Sequence, residues 1–170
     1  MPLTDDCIVR KIKRTDLPAI AIMMQRLAEQ HHEISKAQVE DFAHLALGKD
    51  KISHLWIAQA GTEPAGFIEV NYVVNYPEMQ INAHINFLYV RDEYRHLGVA
   101  LKLVQKAIED STKKGCNRLL VEAYSTNEKA TKFYEDIGFT TRPPSPFLLS
   151  RYQADKQTID KIVHLQRTTN

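Results

Sequence analysis

Val90-Arg91-Asp92-Glu93-Tyr94-Arg95-His96-Leu97-Gly98-Val99-Ala100 is the stretch that decides how this chain is read. A run that alternates at a period of two leads into it, and a segment with apolar residues at helical spacing leads out. A strand that hands over to a helix through a short glycine-containing turn directs several backbone N–H groups at one place, with the positive end of the helix dipole behind them. Such a turn suits a pyrophosphate. Gly98 permits close backbone approach, Ala100 keeps the turn narrow, and Arg95 adds positive charge. The letters R-x-x-G-x-A are common by themselves, and an ordinary hydrated helix start carries the same pattern. The flanking strand and helix give the string its weight.

Upstream, residues 8–13 alternate apolar and basic side chains and predict a first strand. Asp16 reads as an N-cap and Pro18 as a first-turn residue of a helix whose stripe is Ile20, Met24, Leu27 and His31. Residues 38–47, with Val39, Phe42, Leu45 and Ala46 near one face, predict a second helix that stops at Gly48. Residues 54–60, 65–74 and 81–90 predict three strands, joined by Gly61-Thr62-Glu63-Pro64 and by a loop at Pro77. Their closeness implies an antiparallel meander.

Downstream, Leu101, Val104, Ala107, Ile108 and Ser111 follow helical spacing as far as Lys113-Lys114, with Gly115 as the stop. Residues 118–123 predict a strand. Asn127 opens another helix carrying Ala130, Phe133, Tyr134 and Ile137, and Gly138 ends it. Residues 147–152 predict a late strand, and Ile159, Ile162 and Val163 suggest a short docking helix within 155–166. Strand, helix, strand and helix over 81–138 form a crossover that covers one sheet face. The expected fold is α/β, a mixed and mostly antiparallel central sheet flanked by helices, in one domain over residues 1–170.

The length of 170 residues fits one domain with a substantial core. With 22 basic and 21 acidic residues the formal charge is +1, which gives no electrostatic case for nucleic-acid binding. No run of apolar residues is long enough for a membrane span, and the first residues carry neither a basic nor an apolar leader pattern, so a cytoplasmic location is the default expectation. Cys7 and Cys116 make no disulfide framework or CxxC site and read as buried or reduced thiols. His31 and His32 are adjacent and so diverge on a helix, and no set of residues makes a persuasive metal site.

With these segments in place, the chain resembles the GCN5-related N-acetyltransferase superfamily. Arg95, Gly98 and Ala100 match its Gln/Arg-x-x-Gly-x-Gly/Ala loop, and Asn127 through Phe139 match N-x-x-A-x-x-F-Y-x-x-x-G-F. Two degenerate motifs at suitable spacing are far more specific than either alone. His96 departs from the small glycine often found beside the loop arginine. The resemblance implies that acetyl-CoA is the acyl-donor substrate. Its pantetheine arm would meet backbone groups of Leu88, Tyr89 and Val90 on a splayed strand, and its pyrophosphate the loop of Arg95, His96, Leu97, Gly98, Val99 and Ala100. It further implies contacts from Asn127 and Lys129, with Tyr134 near the thioester sulfur. Two roles stay open for Asn127, cofactor contact and helix cap, and Tyr134 also reads as a half-buried aromatic beside Phe133.

Acetylating an amine requires a neutral nucleophile, an oriented thioester, donors for the carbonyl oxygen and a proton for the departing thiolate. Tyr134 is the candidate acid. His84 occupies the strand position where some family members carry a glutamate base, and an imidazole titrates close to neutrality. Strict alternation would set His84, Asn86, Leu88 and Val90 on one side of the strand. Glu69 is a second candidate, as base or amine-positioning group, and Glu122 a third. For each, a structural role is the competing reading. Tyr94-Arg95 and the length resemble diamine and other small-amine acetyltransferases, so the expected partner is a small-molecule amine, with homodimer formation open. A peptide or protein N-acetyltransferase and a non-catalytic acyl-CoA-binding module are the alternatives.

Overall fold

The alternating runs pair in chain order to build a sheet. The computed structural model describes residues 7–36, 38–123 and 127–141, and the chain divides into two compact units, 1–124 and 125–170. In the first, β1 (Cys7–Lys11), β2 (His54–Ala60), β3 (Glu63–Asn75), β4 (Gln80–Val90) and β5 (Cys116–Val121) lie side by side in sequence order. The first four strands are antiparallel to their neighbours, and β5 is parallel to β4. A parallel neighbour needs a crossover, here supplied by helix α3 (Val99–Lys113). The expected mixed, mostly antiparallel sheet flanked by helices is the architecture found. The late strand at 147–152 and the docking helix at 155–166 lie outside the described residues.

Cross-strand partners share a face, so the register sorts the side chains. One face carries Leu55, Ile57, Phe67 and Tyr89, which pack with Leu17, Ile20, Met23 and Leu27 of α1 (Leu17–Gln30). The opposite face carries Trp56, Ile68, Val70, Ala83 and Ile85, all buried, and α3 packs on β3 and β4 there. Each fully buried side chain of this size contributes about 1.5–3 kcal/mol. Along α3 the buried positions are Val99, Leu103, Val104, Ala107 and Ser111. At 3.6 residues per turn these fill one arc, and Leu101 and Ile108, expected within the stripe, fall outside it and are exposed. Tyr72 ties the far end of α3 to β3: its hydroxyl donates to Asp110 at 2.7 Å, and the Lys114 ammonium sits 4.9 Å from its ring centroid.

Two local expectations are corrected. The second helix is not uniform: α2 (Val39–Phe42) widens into a π-helical turn, Ala43–Leu47. Leu45 is 41% exposed and works through its backbone instead, its carbonyl accepting from the N–H groups of both Ile52 (3.0 Å) and Ser53 (3.1 Å). Asp16 does not cap α1 with its side chain. It closes the preceding 3-10 turn (Arg14–Asp16), accepting from the Lys13 N–H at 2.6 Å and from both terminal nitrogens of Arg10 at 2.7 and 2.9 Å. This forked pair locks β1 to the entry of α1.

In the second unit, α4 (Glu128–Asp136) starts at Asn127, whose side-chain oxygen accepts from the Ala130 N–H at 3.1 Å. The cap reading of Asn127 is therefore realised. Tyr134 is buried, with the Phe133 and Phe139 rings 5.1 and 5.3 Å away, and Gly138 ends the helix at a φ of 96°.

The Arg10 guanidinium holds the Asp16 carboxyl below the usual carboxylate range; burial opposes this and the Lys13 N–H assists it. A depressed folded value means that the stabilisation is present above the unfolded carboxylate value of about 3.9 and is lost as pH falls through the folded value. Asp16→Asn is thus expected to cost about 1.5–3 kcal/mol in urea denaturation at pH 7. The gap from wild type should shrink well below pH 4; an equal gap at both pH values would refute this account of Asp16.

Candidate functional site

The site begins with an irregularity in β4. Glu69 pairs with Phe87 and Val70 with Ile85, so Asn86 is an extra residue on β4. A β-bulge of this kind reverses the alternation beyond it. His84 consequently shares a face with Phe87 and Tyr89, while Leu88 and Val90 share the opposite face with Ile85. The expected row of His84, Asn86, Leu88 and Val90 on one side is overturned by that single residue.

Beyond the bulge, no described strand pairs with β4 on its other side. Pairing with β5 ends at Ile85↔Val121, whereas β4 continues to Val90. The Arg91 N–H donates to Ala65 at 3.0 Å, which places the backbone of alternate residues: Tyr89 and Arg91 face β3, and Leu88 and Val90 face the gap left by β5. These groups lie in the sheet plane, so among the described residues the edge they form is open whichever face their side chains take. Arg95 Nε donates to the Val90 carbonyl at 3.1 Å, and its guanidinium also pairs with Asp92 at 2.7 Å, so the expected phosphate-loop arginine closes the loop onto the strand end.

The loop then turns twice through the left-handed region. His96 has a φ of 62° and Gly98 of 82°. The exposed His96 occupies a conformation that glycine adopts freely and that costs another residue about 1–2 kcal/mol. Its departure from the family pattern is accommodated by strain, with the side chain in solvent. Gly98 is the N-cap of α3 and no side chain caps that helix. The N–H groups of Val99, Ala100 and Leu101 therefore lack an intrahelical partner at the positive end of a 15-residue helix.

A polar group occupies the α1 face of the sheet near the bulge. Glu69 is only 8% exposed, and its Oε1 accepts from the Ser53 hydroxyl at 2.7 Å. Its Oε2 has no hydrogen-bond partner. With its amide oriented to satisfy both ends, Asn71 accepts from Asn86 Nδ2 at 2.6 Å and donates to the Ile52 carbonyl at 3.1 Å. His84 is the direct cross-strand partner of Asn71 and shares its face. Glu69 and His84 are thus gathered on one face, with Asn71 and Asn86 between them. Glu122 is exposed just past the end of β5. Ser53 and Asn71 were absent from the sequence-based candidates because neither stands in a motif; only tertiary pairing brings them to Glu69.

The remaining expected residues lie in the second unit. Lys129 is exposed on α4. Burial raises the Tyr134 phenol far above its ordinary value. Separately, a groove between α1 and the β4–α3 loop is bordered by Arg26, Glu29, Arg91 and Glu93, whose charges pair among themselves.

Comparison with known proteins agrees with this geometry. Residues 20–139 match the Acetyltransferase (GNAT) family, and the chain belongs to that family. A thialysine N-epsilon-acetyltransferase from Sus scrofa is 27% identical over 140 residues, 77% of this chain and 82% of that protein. Human N-alpha-acetyltransferase 30 is 33% identical over 84 residues, 49% of this chain and 23% of that protein. Among solved structures, an aminoglycoside acetyltransferase from an uncultured soil metagenomic sample shares the fold with a TM-score of 0.74 at 16% identity, covering 89% of this chain and 99% of its own.

Gly66 is a further requirement of the β3–β4 pairing beside that edge. It pairs with Val90, and a Cβ there would lie 2.5 Å from the Tyr89 carbonyl oxygen and 3.2 Å from the Val90 Cα. Both contacts are with backbone, so Gly66→Ala must part β3 from β4 beside Val90, at an expected cost of about 1–3 kcal/mol. Urea denaturation checks this, and wild-type stability in the variant would show that the strands close without the glycine.

Proposed function

We propose that this protein transfers the acetyl group of acetyl-CoA to a primary amine of a small molecule by direct attack within a ternary complex. The observation that carries the reading is the open edge of β4 from Leu88 to Val90, continuous with the uncapped start of α3. An extended amide-bearing arm followed by a pyrophosphate needs such a pair: in-plane strand donors and acceptors, then convergent N–H groups at a helix N-terminus. The residues present fit that ligand.

Acetyl-CoA, when bound, supplies a thioester as the electrophile. Leu88 and Val90 would hold its arm through their backbones, and Leu97, Gly98, Val99 and Ala100 its pyrophosphate, with Arg95 as the added charge. Backbone N–H groups at the parting of β4 from β5 would stabilise charge on the carbonyl oxygen. Glu69 Oε2, buried and lacking a donor, would receive an N–H of the acceptor amine and orient it. His84 on the same face would take the amine proton, directly or through water. Tyr134 is assigned the proton returned to sulfur on its motif position alone. The N–C bond forms and the C–S bond breaks; the amine proton passes to His84 and the phenolic proton to sulfur, and proton exchange through solvent then returns His84 to the neutral base and Tyr134 to the phenol.

The small-molecule reading takes support from the length of the match to the thialysine enzyme. The shorter match to an N-alpha-acetyltransferase favours a protein amino terminus as the second reading, and retention of acetyl-CoA binding without turnover would favour a regulatory module. A turnover screen against polyamines, thialysine, aminoglycosides and short peptides, following released thiol and acetylated product, separates the three.

Tyr134→Phe is expected to lower kcat about 10²–10⁴-fold with the Kd for acetyl-CoA held within a few-fold. Unchanged turnover would remove Tyr134 from the acid role. Gly98→Val, which forces a branched side chain into the left-handed region at the loop, should weaken acetyl-CoA binding at least tenfold in isothermal titration. Wild-type affinity in that variant would remove the loop from the donor site.

A further inference from the structure

We infer that Ser53 is a positioning residue for the acceptor: it fixes the Glu69 carboxylate so that only Oε2 is left to accept from the amine. This deepens the assignment of Glu69 as the amine-orienting group and rests on it.

A carboxylate on a two-carbon stem has rotational freedom, and a free one would meet the amine in many orientations. Here the Ser53 hydroxyl donates to Oε1 at 2.7 Å, leaving Oε2 as the single oxygen without a partner. Both residues are 8% exposed, so water does not compete freely for the pair. Ser53 is itself held by its backbone. Its N–H donates to the Leu45 carbonyl at 3.1 Å, beside the Ile52 N–H on the same oxygen at 3.0 Å. From the other side, Asn71 donates to the Ile52 carbonyl at 3.1 Å and accepts from Asn86 at the bulge.

The hydroxyl therefore stands on a strut whose ends are the π-helical turn Ala43–Leu47 and the β4 bulge. Leu45 lies in the last turn before Leu47, where carbonyls lack an intrahelical partner, and its carbonyl takes two outside donors. Nothing in this arrangement touches the phosphate loop. Loss of the hydroxyl should consequently be felt by the acceptor and not by acetyl-CoA.

The test uses the full chain with thialysine, spermidine and kanamycin as acceptors at saturating acetyl-CoA. Ser53→Ala is expected to raise the acceptor KM about 3–10-fold, the loss of one oriented hydrogen bond, with kcat and the acetyl-CoA KM within twofold. Ser53→Thr, which restores a hydroxyl, should return KM toward wild type. In a Glu69→Gln background, itself raised in KM, Ser53→Ala should add less than twofold. Ser53→Cys, close in volume with a weak donor, is read the same way if the alanine form does not fold. A raised KM in Glu69→Gln together with a wild-type KM in Ser53→Ala or Ser53→Cys would overturn the positioning role alone. A wild-type KM in Glu69→Gln, or turnover of none of the three amines, would overturn the amine assignment and this inference with it.

Discussion

The parting of β4 from β5 beyond Ile85↔Val121 is the constraint on which the rest of this structure depends. A strand inside a sheet spends its backbone groups on both neighbours. Among the described residues β4 runs on to Val90 beside β3 alone, so the Leu88 groups and the Val90 N–H have no strand partner, while the Val90 carbonyl accepts from Arg95. Backbone groups without a strand partner at the end of such a strand are available to a ligand. The helix that follows offers its own unpaired donors a few residues later, and the two sets lie in one continuous stretch of chain.

The bulge at Asn86 divides the two jobs of β4. Its first half is an ordinary sheet member, with Ile85 in the α3-side core and His84 on the α1 side. Its second half, with the side-chain phase reversed, offers an edge. The same extra residue brings the Asn86 amide to Asn71, and through Ile52 to the segment that carries Ser53. The polar group around Asn71 is thus a consequence of one local departure from regular pairing. Elsewhere the fold is stabilised in ordinary ways: apolar packing on both faces, the Arg10–Asp16 lock, and the Tyr72–Asp110 bond.

Much of this was legible in the residues. The change from period two to period 3.6 at Gly98 marks the strand-to-helix turn, and glycine there answers a positive φ, so both motif and conformation can be read from one letter. Gly115 and Gly138 mark helix ends in the same way. The bulge was not legible, because an extra residue in β4 is defined by what lies opposite on β3; alternation alone set His84 with Leu88 and Val90. Asp16 looked like a helix cap because caps and ion-pair partners draw on the same residue type, and Arg10 decides between them only once β1 is placed. Ser53 carries no sequence signal. Its importance comes from a carbonyl at Leu45 and a carboxylate at Glu69, distant in the chain and adjacent in the fold.

Amide hydrogen exchange followed residue by residue tests the central claim most directly. On addition of acetyl-CoA, the Leu88 and Val90 amides, which face the gap, and the amides of Gly98 through Ala100 at the start of α3 should become strongly protected. The Tyr89 and Arg91 amides, already committed to β3, should change little. Saturable binding of acetyl-CoA with no change at Leu88, Val90 and the α3 start would contradict the account and place the acyl donor elsewhere.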